Sequence, residues 1–341
     1  MRKSILQGLG GILLLVAFCA PFAQASDSTK TAYPGTLNYV EGQVAIGSQN
    51  VGANQIGTAR LEPQQTLRTE NGKAEVLLTP GVFLRVGDQS AVQMISPSLT
   101  DTEVAIDRGE ATIEVDDVYP QNRLIVDEGS SKTRLVKNGF YDFDADNGVI
   151  RVFSGKAELS EADRNISIKG GHEVTLGVPD VKSRGFNKTA NEDDLYQWSS
   201  LRSSYVAQAN ADIAPDYYDG YGGYGLGWYG TGWYWDPWFD GFTFIPGDGL
   251  FYSPFGWGYY SPFFFGGFGF YGGGYGYHYF HHFDSHGAVA AGHARAWGGP
   301  RGEFAGGFHG GGGFGGGGFH GGGFGGGGGF HGGGGGGGGH R

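Results

Sequence analysis

The sequence predicts an all-β fold, a sandwich, roll or solenoid of short antiparallel strands, followed by one helix and a long low-complexity tail. Three observations predict it. Residues 33–178 alternate apolar and polar side chains in short runs separated by Gly, Asn and Asp, which is typical of half-buried strands. Residues 189–209 change to a near-helical period. From Gly220 to Arg341, 50 of 122 residues are Gly and 35 are Phe, Tyr or Trp.

The first 25 residues have the pattern of a secretory signal peptide. Arg2 and Lys3 precede an uncharged apolar stretch over residues 5–20, and Ala23-Gln24-Ala25 is a small-x-small cleavage site. We therefore expect an exported chain that starts at Ser26 and resides in the periplasm or at the outer cell surface. The alternative is an uncleaved membrane anchor, although the apolar stretch is shorter than the roughly 20 residues that a spanning helix needs.

Cysteine content and charge exclude several classes of function. Cys19 is the one cysteine and would leave with the signal peptide, so we expect no disulfide, thiolate metal site or cysteine nucleophile in the mature chain. Loss of Arg2 and Lys3 takes the formal net charge from −11 to −13. This charge disfavours nucleic-acid binding, which depends on phosphate neutralisation. No second apolar run reaches membrane-spanning length, so we expect no transmembrane helix in the mature chain.

The β region over residues 33–178 is predicted to consist of strands of four to eight residues joined by tight turns. Strict alternation gives each strand one buried and one solvated face. Pro80-Gly81 fits a type II turn because Gly accepts the positive φ of the second central position. The expected turns are Glu41-Gly42, Pro80-Gly81, Asp107-Arg108-Gly109 and Asp146-Asn147-Gly148.

Several of these runs resemble the FecR domain. They are NGKAEVLL at 71–78, GVFLRV at 81–86, IDRGEA at 106–111, VIRVFSGKA at 149–157 and GGHEV at 170–174, within roughly residues 35–178. FecR itself is a membrane-spanning regulator whose periplasmic part senses an occupied outer-membrane iron–siderophore transporter. We expect no domain before the apolar segment that could hold a sigma factor. The resemblance therefore implies a stand-alone exported module, and direct regulation of transcription is not expected.

A helix is predicted over residues 189–209. Thr189 and Glu192 fit a capping box, and an apolar stripe follows at near-helical spacing. We expect this stripe to pack on the β region, with a partner-binding helix as the alternative and a linker from Asn210 to Tyr218. The stripe consists of Leu195, Trp198, Leu201 and Tyr205.

An aromatic segment over residues 217–283 and a Gly-rich tail over residues 284–341 complete the chain. For the aromatic segment two interpretations stand: short hairpins that lie on the β region or another surface as an interaction site, or disordered low-complexity chain. In the tail, Phe-His pairs recur every eleven residues. Sparse Phe residues cannot offset the entropy cost of ordering Gly, so we expect a disordered tail whose aromatics promote weak self-association.

Histidines at the end of the aromatic segment are the candidate metal ligands. Within nine positions lie His278, His281, His282, Asp284 and His286, which could bind Zn²⁺, Ni²⁺ or Cu²⁺. Their spacing matches no defined metal motif. The alternative is that they are polar spacers, which gain charge below about pH 6.5.

Signals for other chemistry are weaker. His172 follows Gly170-Gly171 and is predicted to be a solvated turn residue rather than a catalytic base. Asp142-x-Asp144-x-Asp146-x-Gly148 resembles the start of a calcium loop but has Phe153 at the twelfth position, where such loops carry Glu. We predict no catalytic residue and no cofactor-binding residue.

The sequence therefore predicts a non-catalytic FecR-type binding or scaffolding module of the bacterial cell envelope, with an unknown envelope protein or surface polymer as partner. Three alternatives stay open. They are a structural or adhesive surface protein that acts through its Gly-aromatic tail, a His-rich metal-binding protein and, with an uncleaved N-terminus, a membrane-anchored signal sensor.

Overall fold

The structure, a computed structural model, describes residues 30–161, 164–218 and 227–267. The predicted signal peptide, the candidate metal ligands and the predicted Gly-rich tail lie outside these residues. Among the described residues strands predominate and one long helix follows the β region, as the sequence predicts. In the same residues, no helix combines the length and the apolar character that crossing a membrane requires.

Fifteen strands form one sheet. In chain order they are β1 (Leu37–Ile46), β2 (Gln49–Val51), β3 (Thr66–Leu77), β4 (Val82–Val86), β5 (Ala91–Pro97), β6 (Asp101–Arg108), β7 (Glu110–Val115), β8 (Arg123–Glu128), β9 (Ser131–Leu135), β10 (Gly139–Asp144), β11 (Val149–Val152), β12 (Lys156–Glu161), β13 (Arg164–Lys169), β14 (His172–Thr175) and β15 (Arg184–Gly185).

The strands are ordered β13-β12-β9-β8-β6-β5-β3-β4-β7-β10-β11-β14-β15, with β1 beside β3 and β2 beside β1. Neighbours are antiparallel, as predicted, except that β6 and β8 are parallel. The exception arises because the chain leaves β6 to form β7 between β4 and β10, and then returns to run along β6.

The sheet bends on itself at β3. Residues Thr66–Arg68 of β3 pair with β5, whereas Ala74–Leu77 pair with β4. On one side of β3, the first half of the sheet consists of β5, β6, β8, β9, β12 and β13. On the other side, the second half consists of β4, β7, β10, β11, β14 and β15. One cluster of buried side chains contains residues from both halves, such as Val104 and Leu124 from the first and Ile113 from the second. The apolar core therefore lies between the two halves.

Two predicted turns are wrong and two are confirmed. Gly42 lies inside the continuous strand β1, in a bulge where its φ is +65°. A Cβ on its registered partner Gly72 would lie 2.5 Å from the backbone nitrogen of Gln43, so this close crossing of β1 and β3 needs glycine. Asp107 and Arg108 are the last residues of β6, and a bend at Gly109 carries the chain from the first half to the second, since β7 does not pair with β6. Hairpin turns at 80–81 and 146–148 are present.

The helix, α1 (Asp194–Ile213), begins and ends later than predicted. Its N-cap is Asp193, whose side chain accepts a hydrogen bond from the Tyr196 backbone N–H, and the predicted capping residue Thr189 instead begins a short 3-10 helix. A second 3-10 helix over Ala214–Tyr217 continues from α1, within the predicted linker.

The predicted apolar stripe is not the face of α1 that packs on the β region. Leu195 is buried, but Leu201 and Tyr205 are about half exposed, at 50 % and 51 %. The expected packing of the helix on the β region is present, yet much of the buried face is polar. Its residues are Leu195, Ser199, Arg202, Ser203, Val206, Ala207, Ala209 and Asn210.

The described part of the aromatic segment forms two hairpins and a short helix. These are β16 (Gly232–Asp236) with β17 (Gly241–Ile245), β18 (Leu250–Tyr252) with β19 (Gly258–Tyr260), and α2 (Pro262–Gly267). Trp233, Phe244 and Tyr259 pack in one buried cluster with Phe83 of the sheet and Val206 of α1. Of the two interpretations, ordered hairpins on the β region are therefore found for residues 227–267.

Candidate functional site

A row of mostly charged side chains crosses the outer face of the second half of the sheet. Registered residues on adjacent strands point to the same face, and six successive registered pairs run from β3 to β15. Apart from one threonine, the row alternates in charge. We call it the charged row, and in strand order it consists of Glu75, Arg85, Thr112, Asp142, Arg151, Glu173 and Arg184.

Helix α1 covers the β3 end of the charged row. Arg85 donates from Nε to Glu75 Oε2 at 2.8 Å and from Nη1 to Glu114 Oε2. From α1, Arg202 donates from Nη2 to Glu75 Oε1 at 3.0 Å. These four residues, the buried ion cluster, have side chains that are at most 5 % exposed. The helix therefore supplies one of the two cations that neutralise the carboxylates of the sheet.

Neutral polar groups complete the hydrogen bonding around the buried ion cluster. Asn38 donates from Nδ2 to Glu75 Oε1 at 2.9 Å. From α1, the Ser203 hydroxyl donates to Glu114 Oε1 at 2.6 Å, and the Ser199 hydroxyl lies 2.9 Å from that of Thr112. Three polar side chains of the helix thus face polar partners on the sheet, which explains why a polar face is buried.

Mutual attraction favours the charged forms of Glu75 and Arg85 in the buried ion cluster. Burial opposes the charged form of Glu75, but the charges of Arg202 and Arg85 outweigh it and lower the pKa of Glu75 to about 2. Burial likewise opposes the charge of Arg85, and Glu114 and Glu75 raise the pKa of its guanidinium. Glu75 and Arg85 therefore depend on their partners for their charge.

Asp116 is a buried carboxyl group beside this cluster, and its pKa is raised. Burial, followed by repulsion from Glu114, raises the pKa of Asp116 well above its usual value. The two charges of Arg85 and Arg202 are then balanced by those of Glu75 and Glu114. Burial is also the main cause that raises the pKa of the nearby Tyr259 hydroxyl, from β19, well above its usual value.

The charged row continues toward β15 with increasing exposure. Arg151 Nη1 donates to Asp142 Oδ2 at 2.8 Å, and Arg184 Nε donates to Glu173 Oε1 at 2.9 Å. Burial raises the pKa of Asp142 to about 6, although Arg151 lowers it. Beside it, burial and repulsion from Asp142 raise the pKa of Glu110 to about 9. This end of the row ties the strands together by ion pairs.

The weak calcium interpretation is wrong, because its three carboxylates point to different partners. Asp142 binds Arg151, Asp144 accepts from the Asn147 side chain at 2.8 Å, and Asp146 accepts from the Gly109 backbone N–H at 2.9 Å. Across the described residues, no group of three or more His, Cys, Asp or Glu is arranged to hold a metal ion.

Two asparagine side chains attach the aromatic hairpins to the β region. Each side-chain amide pairs with backbone N–H and C=O groups of the hairpins, as another strand would. Asn38 accepts from Phe242 N at 2.7 Å and donates to Phe242 O at 3.0 Å. Asn210 of α1 donates to Phe244 O at 2.9 Å and accepts from Tyr260 N at 2.7 Å. Both hairpins are therefore anchored through buried polar contacts as well as through apolar packing.

Large aromatic side chains remain exposed on these anchored hairpins. Trp238, at the tip of the β16–β17 hairpin, is 96 % exposed, and the next residue Phe239 is partly buried against the cluster of Trp233 and Phe244. The Asp236 carboxylate accepts from the Trp238 backbone N–H at 2.8 Å and so fixes the tip. We call the exposed side chains the aromatic surface; they lie just before β16, at the β16–β17 tip, in β18 and just before β19, and they are Tyr229, Trp238, Tyr252 and Trp257.

Sequence reasoning missed the buried ion cluster and predicted only in general terms that aromatics would be displayed. A signal was present, since Glu75, Arg85 and Glu114 each lie between two apolar residues of a strand. Strand alternation predicts that these side chains face solvent, because the sequence does not reveal that helix α1 covers them. His172 lies at the start of β14, directly after its predicted turn.

Comparisons with known proteins found few matches. No protein-family model and no curated protein matches the sequence. Two crystal structures of a candidate anti-sigma factor from Parabacteroides distasonis ATCC 8503 match with a TM-score of 0.32 and 11 % identity. The matches cover 40 % and 43 % of this chain and 64 % and 70 % of those chains. This chain therefore spans less than two thirds of the first of these structures, and the likeness is too slight to carry an argument about function.

Proposed function

We propose that this chain is a non-catalytic FecR-type binding or scaffolding module of the bacterial cell envelope. The runs that resemble the FecR domain support the proposal, because all of them lie in strands or turns of one continuous sheet. We further infer that the bent sheet is a roll, since its two halves share the long strands β1 and β3.

The aromatic surface is the observation that carries the binding role. A fully exposed Trp238 exposes a large apolar area to water, which is unfavourable unless a partner covers it. Tryptophan and tyrosine are also the residues that contribute most to binding energy at interfaces. Here they project from hairpins that Asn38 and Asn210 attach to the sheet. A rigid β platform with a displayed aromatic surface suits a scaffold that engages an envelope protein or a surface polymer.

The buried ion cluster supports a structural rather than a chemical role for the charges of the sheet. Glu75, Arg85 and Glu114 are covered by α1, and their charges neutralise one another. A group that reacted with a substrate would have to be reached by it. The cluster instead fixes α1, and with it Asn210, in the position that holds the hairpins.

Site-specific photo-cross-linking in intact cells tests the binding role. A photoreactive phenylalanine derivative replaces Trp238, and a control variant carries it at Leu99, which is 54 % exposed in the connection between β5 and β6. We expect a discrete cross-linked product from position 238 and none from position 99. Absence of any product at 238, or equal products at both positions, would contradict a binding surface at the hairpins.

Location is tested by intact mass and cell fractionation recorded together. A mass that starts at Ser26 in a periplasmic or outer fraction fits the envelope module. An uncleaved chain in the inner membrane would instead favour the membrane-anchored sensor.

A further inference from the structure

We propose that one corner of the first half of the sheet binds a phosphate group through a cluster of three cations. The cluster consists of Arg134, Lys156 and Lys169, which we call the cation corner. It shares no residue with the aromatic surface, so it adds a second site to the proposed scaffold and does not depend on the first.

Two lysines lie directly opposite each other at the centre of the cation corner. Lys156 of β12 is in register with Lys169 of β13. Their neighbours Ala157 and Ile168 are buried in the core, so both lysines project from the outer face. Directly opposed side chains have Cβ atoms about 4.5–5.5 Å apart, and like charges at this distance destabilise a sheet. An anion between the two ammonium groups would remove that repulsion.

The third cation comes from the neighbouring strand. Arg134 of β9 is in register with Glu158 of β12, which lies two residues from Lys156 on the same face. Glu158 Oε1 accepts from Lys156 Nζ at 2.9 Å, and the charges of Lys156 and Arg134 lower the pKa of Glu158. This single carboxylate therefore has two cationic neighbours and leaves the corner with an excess of positive charge.

A buried tyrosine fixes the backbone at the start of β12, where Lys156 lies. The Tyr141 hydroxyl contacts the backbone carbonyls of both Lys137 and Lys156 and accepts a hydrogen bond from the Lys156 backbone N–H at 3.1 Å. Tyr141 is fully buried, so it holds these two segments together from inside the core. Lys169 is exposed, and its ammonium group is available to a ligand.

The chemistry of this corner fits phosphate. Three cations and one carboxylate leave two uncompensated positive charges in a protein whose formal net charge is −11. Lysines bind phosphate as point charges, and arginine can add a two-point hydrogen bond to its oxygens. Ser167, exposed on β13 in register with Glu158, offers a hydroxyl donor beside them. In the cell envelope the group could belong to an anionic lipid headgroup or to a soluble phosphate compound.

Titrations of the full-length chain test the site with two probes. Inorganic phosphate is followed by calorimetry, and vesicles of phosphatidylcholine with or without phosphatidylglycerol are followed by co-sedimentation. The test variant is Lys156→Gln with Lys169→Gln. The control is Arg68→Gln with Lys182→Gln, which removes the same charge from two exposed cations elsewhere. The single variant Lys169→Gln changes one exposed residue of an edge strand and provides a second test if the double variant does not fold.

We expect binding to at least one probe, weakened about tenfold or more in the double variant and more modestly in Lys169→Gln, with little change in the control. Binding that needs phosphatidylglycerol identifies a lipid headgroup, and binding to inorganic phosphate alone identifies a soluble source. Failure of the wild-type chain to bind either probe would overturn the proposal. Equal losses in test and control variants would also overturn it, since they would reflect net charge alone. None of these outcomes bears on cross-linking at Trp238.

Discussion

Single charges in the buried ion cluster are tolerated only because each one has a partner. Taking an ion out of water costs several kcal/mol, and a well-placed counter-ion recovers most of this cost. Glu75 receives hydrogen bonds from Arg85, Arg202 and Asn38, so removal of any donor weakens the compensation of a fully buried carboxylate. The helix residue Arg202 matters most for the fold, because it joins α1 to the sheet.

Replacement of Arg202 by methionine is expected to destabilise the chain by about 3 kcal/mol, since it leaves the cluster with an uncompensated negative charge. Urea unfolding at neutral pH measures the change. The matched control is Lys182→Met, which breaks an exposed pair with Asp180 and should have little effect, because such pairs contribute about 0–1 kcal/mol. Similar losses in both variants would show that the buried cluster has no special role.

At the scale of elements, helix α1 is the layer between the sheet and the aromatic hairpins. Its polar face contacts Glu75 and Glu114, whereas Val206 and Asn210 near its C-terminal end contact the hairpins. The hairpins in turn cover Phe83 of β4, whose ring lies 4.9 Å from that of Trp233. The aromatic hairpins are therefore part of the folded unit and not an appendage to it.

Truncation after Tyr218 is expected to destabilise the β region by several kcal/mol. It uncovers Leu77, Phe83 and Val206, and burial of one such side chain contributes about 1.5–3 kcal/mol. Thermal unfolding and binding of a hydrophobic dye measure the effect. Truncation after Gly267 keeps both hairpins and should leave the melting temperature of the β region unchanged. If the two truncated chains are equally stable, the hairpins do not support the core.

At the scale of the whole molecule, the dependence of stability on pH is set by buried acids whose pKa values are shifted in opposite directions. Burial, followed by repulsion from Asp142, raises the pKa of Glu128 to about 8, and Glu110 has a pKa of about 9. These two groups bind their protons more tightly in the folded chain. Their contribution to stability is complete below the unfolded pKa of 4.5 and is lost as pH rises through 8 to 9. Glu75, with a pKa of about 2, contributes stability above 4.5 and loses it as pH falls.

Stability should therefore be highest in mildly acidic solution and decline toward pH 9. Melting temperatures at pH 4, 6 and 9 test this, with an expected decrease of several degrees between pH 6 and pH 9. The variant Glu128→Gln should flatten the alkaline decline, because it cannot ionise. A melting temperature that rises between pH 6 and pH 9 would contradict the assignment of these acids as protonated in the folded chain.

The sequence by itself determined the local structure of this protein. Alternation predicted the strands of the β region, and Pro80-Gly81 and Asp146-Asn147-Gly148 form their predicted turns. These features depend on a few neighbouring residues, so they are visible in the sequence. The prediction of a turn at Gly42 is wrong, because glycine supplies a positive φ in bulges as well as in turns.

Only the tertiary structure decided which polar positions are buried. Whether Glu75, Arg85 and Arg202 face water or one another depends on how the sheet bends and where α1 lies, which involves residues more than a hundred positions apart in the chain. The register that opposes Lys156 to Lys169 is also a property of paired strands and not of either strand alone. Charges near in space but distant in sequence leave no local pattern, which is why the buried ion cluster and the cation corner emerged only from the folded chain.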